Sequence, residues 1–220
     1  VTVKVFDKNT LTYLRKIDGK EDNNPYKVNI TSSSADGHLN AKFAGGTVGM
    51  QRGDYTLIDD PNEIPGLAIE GVNTNTSINN DCQIAGGIIG IALAGTDINT
   101  SNAQGNFSCQ GGNYLDTSTQ VKIAVGGISG FQGYYSALRI SNSTFNGDIA
   151  AVPYNNDDST VYAGGMVGIS SSNIGYTYPS DIIPEDYLNK RGLVINGGSV
   201  SANVHASIAK NGGGSGGAIG

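Results

Sequence analysis

The chain has 220 residues, 38% of them hydrophobic and 15% charged, with 33 glycines and a net charge of −6. That length closes a core in one or two domains, while the shortage of Leu, Glu, Lys and Arg excludes an all-α fold. The acidic balance, with no run of Lys and Arg, excludes a docking surface for a nucleic-acid backbone, and no apolar run is long enough to span a membrane as a helix. The first element is an alternating strand through Val1, Val3 and Val5. Residues 1–27 read as an N-terminal strand segment that caps the rest of the chain or is lent to a partner. Opening without Met or a signal peptide, the chain reads as a processed protein or a cut piece.

From residue 28 to 220 one phrase recurs. It runs Ala44-Gly45-Gly46-Thr47-Val48-Gly49, Ala85-Gly86-Gly87-Ile88-Ile89-Gly90, Val125-Gly126-Gly127-Ile128-Ser129-Gly130, Ala163-Gly164-Gly165-Met166-Val167-Gly168 and Ser215-Gly216-Gly217-Ala218-Ile219-Gly220. Its first glycines are 41, 40, 38 and 52 residues apart. Ahead of the phrases come similar segments, such as Val28 to Leu39, Asp97 to Phe107, Leu138 to Ile149 and Leu193 to Val204. Each unit reads as strand, Asn/Ser/Gly turn, strand, polar loop, strand and Gly-Gly phrase. Alternation in Leu39, Ala41 and Phe43, in Val121, Ile123 and Val125, and in Val200 through Ile208 predicts short half-buried strands. Around 176–192 an insertion lengthens the last period, and Pro179 to Arg191 within it has helical spacing. The predicted fold is all-β, a glycine-rich repeat architecture of the β-solenoid or β-helix kind with about five repeats of roughly 40 residues.

Stacked units place equivalent residues side by side, so a corner needing φ > 0 or close backbone approach excludes a Cβ. That role falls to Gly45, Gly46, Gly49, Gly86, Gly87 and Gly90, to Gly126, Gly127, Gly130, Gly164, Gly165 and Gly168, and to Gly216, Gly217 and Gly220. Val48, Ile88, Ile89, Ile128, Met166, Val167 and Ile219 are then expected to face the inside. The pattern Ile-x-Asn-Ser-x-x-x-Gly-x-Ile, a variable stretch and Ala-Gly-Gly-x-Val-Gly, clearest from Leu138 to Gly168, resembles the GLUG repeat of bacterial surface proteins. The resemblance implies an extracellular β-rich repeat rod and brings no catalytic residues with it.

Candidate chemistry is sparse. His38 and His205 lie 167 positions apart and suggest no nucleophile pair, so no catalytic and no metal residue is assigned. Acidic clusters at Asp59-Asp60-Pro61-Asn62-Glu63, Asn155-Asn156-Asp157-Asp158 and Asp181 to Asp186 read as solvated loops; calcium is the one cofactor they could take. The Gly-Gly phrase lacks the Lys-Ser/Thr of a phosphate loop. Arg52-Gly53-Asp54 matches an integrin-binding tripeptide but also an ordinary turn. Tyr134 and Tyr135, and Tyr176 and Tyr178, follow two phrases at similar phase and are the candidate ligand or interface residues; they serve equally as caps of the stack. Cys82 and Cys109 are either a disulfide of an exported protein or two buried thiols.

The function expected is that of a non-catalytic, secreted or surface-borne adhesin or stalk with a protein or glycan ligand. One alternative is the subunit of a head-to-tail filament, a homopolymer through its terminal strands. The other is a β-helical polysaccharide-active enzyme, a fold-level analogy.

Overall fold

The computed structural model describes residues 4–7, 12–17, 20–22, 28–51, 67–80, 82–93, 95–111, 122–133, 137–153, 160–172, 192–207 and 212–220. Among these residues every regular element is a strand, and no helix is long and apolar enough to cross a membrane. Near the N-terminus β1 (Lys4–Asp7), β2 (Thr12–Ile17) and β3 (Lys20–Asp22) form a separate antiparallel sheet in that order. The backbone of Lys4–Asp7 is thus paired with Thr12–Arg15, at the edge of a sheet of its own. Residues 1–3, the insertion around 176–192 up to residue 191, and its helical spacing lie outside the described residues.

From Val28 onward the strands fall into five units. The first holds β4 (Val28–Thr31), β5 (Ser34–Leu39), β6 (Phe43–Gly45) and β7 (Val48–Gln51), and the second β8 (Leu67–Glu70), β9 (Asn73–Asn80), β10 (Ile84–Gly86) and β11 (Ile89–Ala92). The third has β12 (Thr96–Asn99), β13 (Asn102–Gln104), β14 (Phe107–Cys109), β15 (Lys122–Gly126) and β16 (Ser129–Gly133). In the fourth, β17 (Ala137–Ala151), β18 (Thr160–Gly164) and β19 (Val167–Ser172) follow one another, and the fifth contributes β20 (Gly192–Ala206) and β21 (Gly213–Gly216). Each unit pairs with its neighbours in sequence and every pairing is parallel. A broad sheet carries β4-β8-β12-β17-β20 along with β5, β9, β13 and β14; a middle sheet runs β6-β10-β15-β18-β21, and an outer sheet β7-β11-β16-β19.

Side-chain alternation explains why three sheets close around two cores. Ala44, Ala85, Val125 and Ala163, one per unit and in register, turn toward Leu67, Ile69, Ile98 and Ile140 of the broad sheet. Their neighbours Phe43, Ile84, Ala124 and Tyr162 face the other way, onto Ile91, Phe131 and Ile169 of the outer sheet. The strand around Ile123 is therefore buried on both faces, Ala124 included, and not on one as alternation alone predicts. A sheet covered on both sides has no polar face to show in its sequence. Phe107, Phe131 and Phe145 are the largest core side chains, and Phe107 and Phe145 lie one unit apart with ring centroids 5.2 Å from each other.

Burial fades at both ends of the stack. Ile88, Ile89, Ile128, Met166 and Val167 are buried, Val48 is half-buried, and Ile219 is 45% exposed. Val48, Ile89, Ser129, Val167 and Ile219 form a single column, but among the described residues Val48 has a neighbour only on one side and Ile219 closes the last described unit. Expected inside, Ile219 stands on a face over which no described residue is stacked.

Candidate functional site

The Gly-Gly phrase is the turn by which each unit leaves the middle sheet and folds back into the outer one. Its first glycines pair as a ladder, Gly45 with Gly86, Gly86 with Gly126, Gly126 with Gly164 and Gly164 with Gly216. None of the fifteen phrase glycines has a positive φ, so close approach and not left-handed backbone is what they supply. A Cβ at Gly86 would lie 2.1 Å from the Ile89 carbonyl oxygen and 2.6 Å from the Gly130 nitrogen. The second glycines Gly46, Gly87, Gly127 and Gly165 each sit over the carbonyl of the next unit's second glycine, where a Cβ would fall within 2.0 to 2.3 Å of the oxygen. Among the third glycines, Gly90 would bring its Cβ within 2.4 Å of the Gly49 oxygen and Gly168 within 2.6 Å of the Gly130 oxygen. The turn donors are satisfied by the following unit: Gly87 N–H donates to Gly127 O at 3.1 Å, Ile88 N–H to Ile128 O at 3.0 Å, and Met166 N–H to Ala218 O at 2.9 Å.

Cys82 and Cys109 form a disulfide with Cα atoms 4.9 Å apart. Both residues are buried, and the bond ties the start of the turn segment in the second unit to the end of β14 in the third. Tyr134, Tyr135, Tyr176 and Tyr178 lie outside the described residues, as do Arg52-Gly53-Asp54 and the three acidic clusters that carried the calcium expectation. His38 sits on β5, hydrogen-bonded through Nδ1 to Ser77 Oγ at 2.9 Å, and His205 sits on β20 against Ser207 Oγ at 3.1 Å. They occupy the first and last units and do not meet.

Two sets of residues escaped sequence reasoning. Ser32, Gly71, Thr100, Asn142 and Gly197 all adopt φ between 47° and 74° and occupy one corner of the stack, one residue per unit, immediately after the in-register column Thr31, Glu70, Asn99, Ser141 and Asn196. Directly after that corner comes a serine ladder. Ser101 and Ser143 are fully buried, and each donates its hydroxyl to the carbonyl two residues back, at 2.9 Å. Each also accepts from the unit before it, Ser101 from Val72 N–H at 3.2 Å and Ser143 from Ser101 N–H at 3.1 Å. The Asn-Ser pair of the repeat pattern, Asn142-Ser143, is thus a left-handed corner followed by a cross-unit hydrogen-bond relay. The signal was present in that pair, but Ser and Thr in a polar stretch also read as ordinary turn residues.

The outward face of the broad sheet, beyond that corner, is a groove of about 520 Å³. Two columns of side chains line it. Ser34, Asn73, Asn102 and Thr144 are in register in the first, where Asn102 Nδ2 donates to Asn73 Oδ1 at 2.9 Å and Thr144 Oγ1 to Asn102 Oδ1 at 2.6 Å. The second holds Asp36, Asn75, Gln104 and Asn146, all exposed. Between the columns, Ala35, Thr74 and Ala103 turn inward, so the strands alternate cleanly here.

No family model matches the chain, and neither a curated protein nor a solved structure does. Its reading therefore rests on its own geometry. Among the described residues no group of three or more His, Cys, Asp or Glu side chains converges, and the groove is lined by amides and hydroxyls with Asp36 as its one acid. Such a surface offers hydrogen bonds to a neutral polar partner.

Proposed function

We propose that this chain is a β-solenoid of GLUG-repeat type that acts outside the cell as a non-catalytic stalk or adhesin. The observation that carries the reading is the register: five phrases 38 to 52 residues apart meet glycine on glycine, in a sheet whose strands are all parallel. Units that stack this way gain stability only from neighbours, and the product is a stiff element whose length follows from the number of units. A buried disulfide between two units supports residence in an oxidising compartment. Surface biotinylation of intact source cells, with mass spectrometry of the Cys82–Cys109 linkage, tests the reading. Labelled protein with the bond formed is expected. Protein that is shielded from the label and carries both thiols reduced would refute it.

A second reading, assembly head-to-tail into a filament, is favoured by the last described unit. Ile219 is 45% exposed, and a Cβ at Gly217 would meet no atom of a described residue within 4 Å. That unit's strands β20 and β21 pair with the unit before them and, among the described residues, with nothing beyond, and open parallel edges template association. Sedimentation at rising concentration separates the readings: a concentration-dependent series of oligomers supports the filament, and a monomer at all concentrations removes it.

A further inference from the structure

We propose that the groove on the broad sheet binds an extended neutral glycan, lying along the stack axis across the strands. The inference deepens the surface-protein reading by naming a ligand class and a place for it. The columns decide the orientation. Asn75, Gln104 and Asn146 repeat at the strand spacing of about 4.8 Å. That spacing is close to the advance of one pyranose ring in an extended β-linked chain, so successive sugars would meet equivalent side chains.

The chemistry decides the class. An Asn or Gln amide carries two N–H donors and an acceptor oxygen side by side, which matches adjacent sugar hydroxyls that both donate and accept. In the first column the amides of Asn73 and Asn102 are tied to one another and to Thr144, which holds a fixed polar wall. In the second, the side chains of Asn75, Gln104 and Asn146 make no hydrogen bond to any described residue and stand free for a ligand. Asp36 at one end and the net charge of −6 disfavour polyanions such as nucleic acid or uronic-acid polymers. A peptide strand would instead seek an open sheet edge, whereas the floor here is the side-chain face of a sheet already paired. Among the described residues no aromatic ring lines the groove, so each site is weak, and useful adhesion would come from many copies acting together.

The test is a ¹⁵N NMR titration of the purified chain with cellohexaose, chitohexaose, hexagalacturonate and an extended Gly/Ser peptide, each taken to about 10 mM, where a millimolar site fills. The side-chain amide signals of Asn75, Gln104 and Asn146 are expected to shift with at least one neutral hexasaccharide and not with the polyanion or the peptide. The exposed double variant Gln104→Ala/Asn146→Ala is expected to lose the shifts with its dispersed spectrum intact, while Asn196→Ala, outside the groove, retains them. Absence of shifts with both neutral sugars, shifts confined to the Tyr134–Tyr135 or Tyr176–Tyr178 segments, or a stronger response to hexagalacturonate or the peptide would overturn the proposal. The readout does not depend on where the protein resides, so these outcomes leave the surface-protein reading standing, and mislocalisation leaves this one standing.

Discussion

Replacing Gly127 by Ala adds one methyl group and asks whether the turns are really stacked. The new Cβ would lie 2.2 Å from the Gly165 oxygen, 2.3 Å from Phe145 Cγ and 2.5 Å from Phe145 Cδ1. One obstacle is backbone fixed by the next unit and the other is a ring that is 1% exposed, so neither can swing aside. Overpacking of a tight core costs about 1 to 3 kcal/mol, and with two rigid obstacles the upper end, about 3 kcal/mol, is expected. At about 2 to 4 °C per kcal/mol for a chain near 200 residues, the melting temperature should fall by roughly 6 to 12 °C. Gly217 is the internal control, because it holds the same place in the fifth phrase and a Cβ there meets no atom of a described residue within 4 Å. Gly217→Ala should be neutral or stabilise by up to about 1 kcal/mol through the unfolded chain. Urea denaturation followed by circular dichroism measures both, with the slope checked for a single transition. Equal effects at the two positions, within about 1 kcal/mol, would refute the stacked-turn argument.

Two further perturbations separate the supports of the fold. Reducing the Cys82–Cys109 bond, or replacing both cysteines by Ser, reopens a loop of 27 residues and should cost about 3.5 kcal/mol in the chain-entropy model, read as a lower urea midpoint; an unchanged midpoint would show that the staple contributes nothing. Ser143→Ala leaves the buried N–H of Ser101 without its acceptor and should destabilise by about 1 to 3 kcal/mol, whereas Ser33→Ala, where the hydroxyl is exposed and bonds only to Thr31 O, should change stability by less than about 0.5 kcal/mol; calorimetry of the pair decides whether the serine ladder stabilises the stack.

The repeat was legible because its glycines answer one steric demand that only glycine meets. The second glycine of each phrase, from Gly46 to Gly165, lies over a carbonyl, so the same residue recurs at the same place. The left-handed corner was hidden because Ser32, Gly71, Thr100, Asn142 and Gly197 meet the demand with four residue types. Alternation in Leu39, Ala41 and Phe43 reads as one strand, yet β5 ends at Leu39 and β6 begins at Phe43, with Ala41 exposed in the bend between them. The middle sheet was illegible for a related reason, since Ile84, Ala85 and Gly86 are all buried and such a run has no period. The groove was illegible as well. Its Asn and Gln side chains are spread over three units, and only the register gathers them in two columns.

That register is open to a single distance. Asp36, Asn75, Gln104, Asn146 and Ser201 are aligned through four successive parallel pairings, so Asp36 and Ser201 lie four strand spacings apart although 165 residues separate them in sequence. With the native cysteines held in their disulfide, spin labels on Asp36→Cys and Ser201→Cys report that separation by double electron–electron resonance. The stack predicts a narrow distribution centred near 19 Å, at about 4.8 Å per strand, broadened only by the label linkers. A broad distribution, or one centred beyond about 30 Å, is more than six such spacings and would contradict the stacking of the five units.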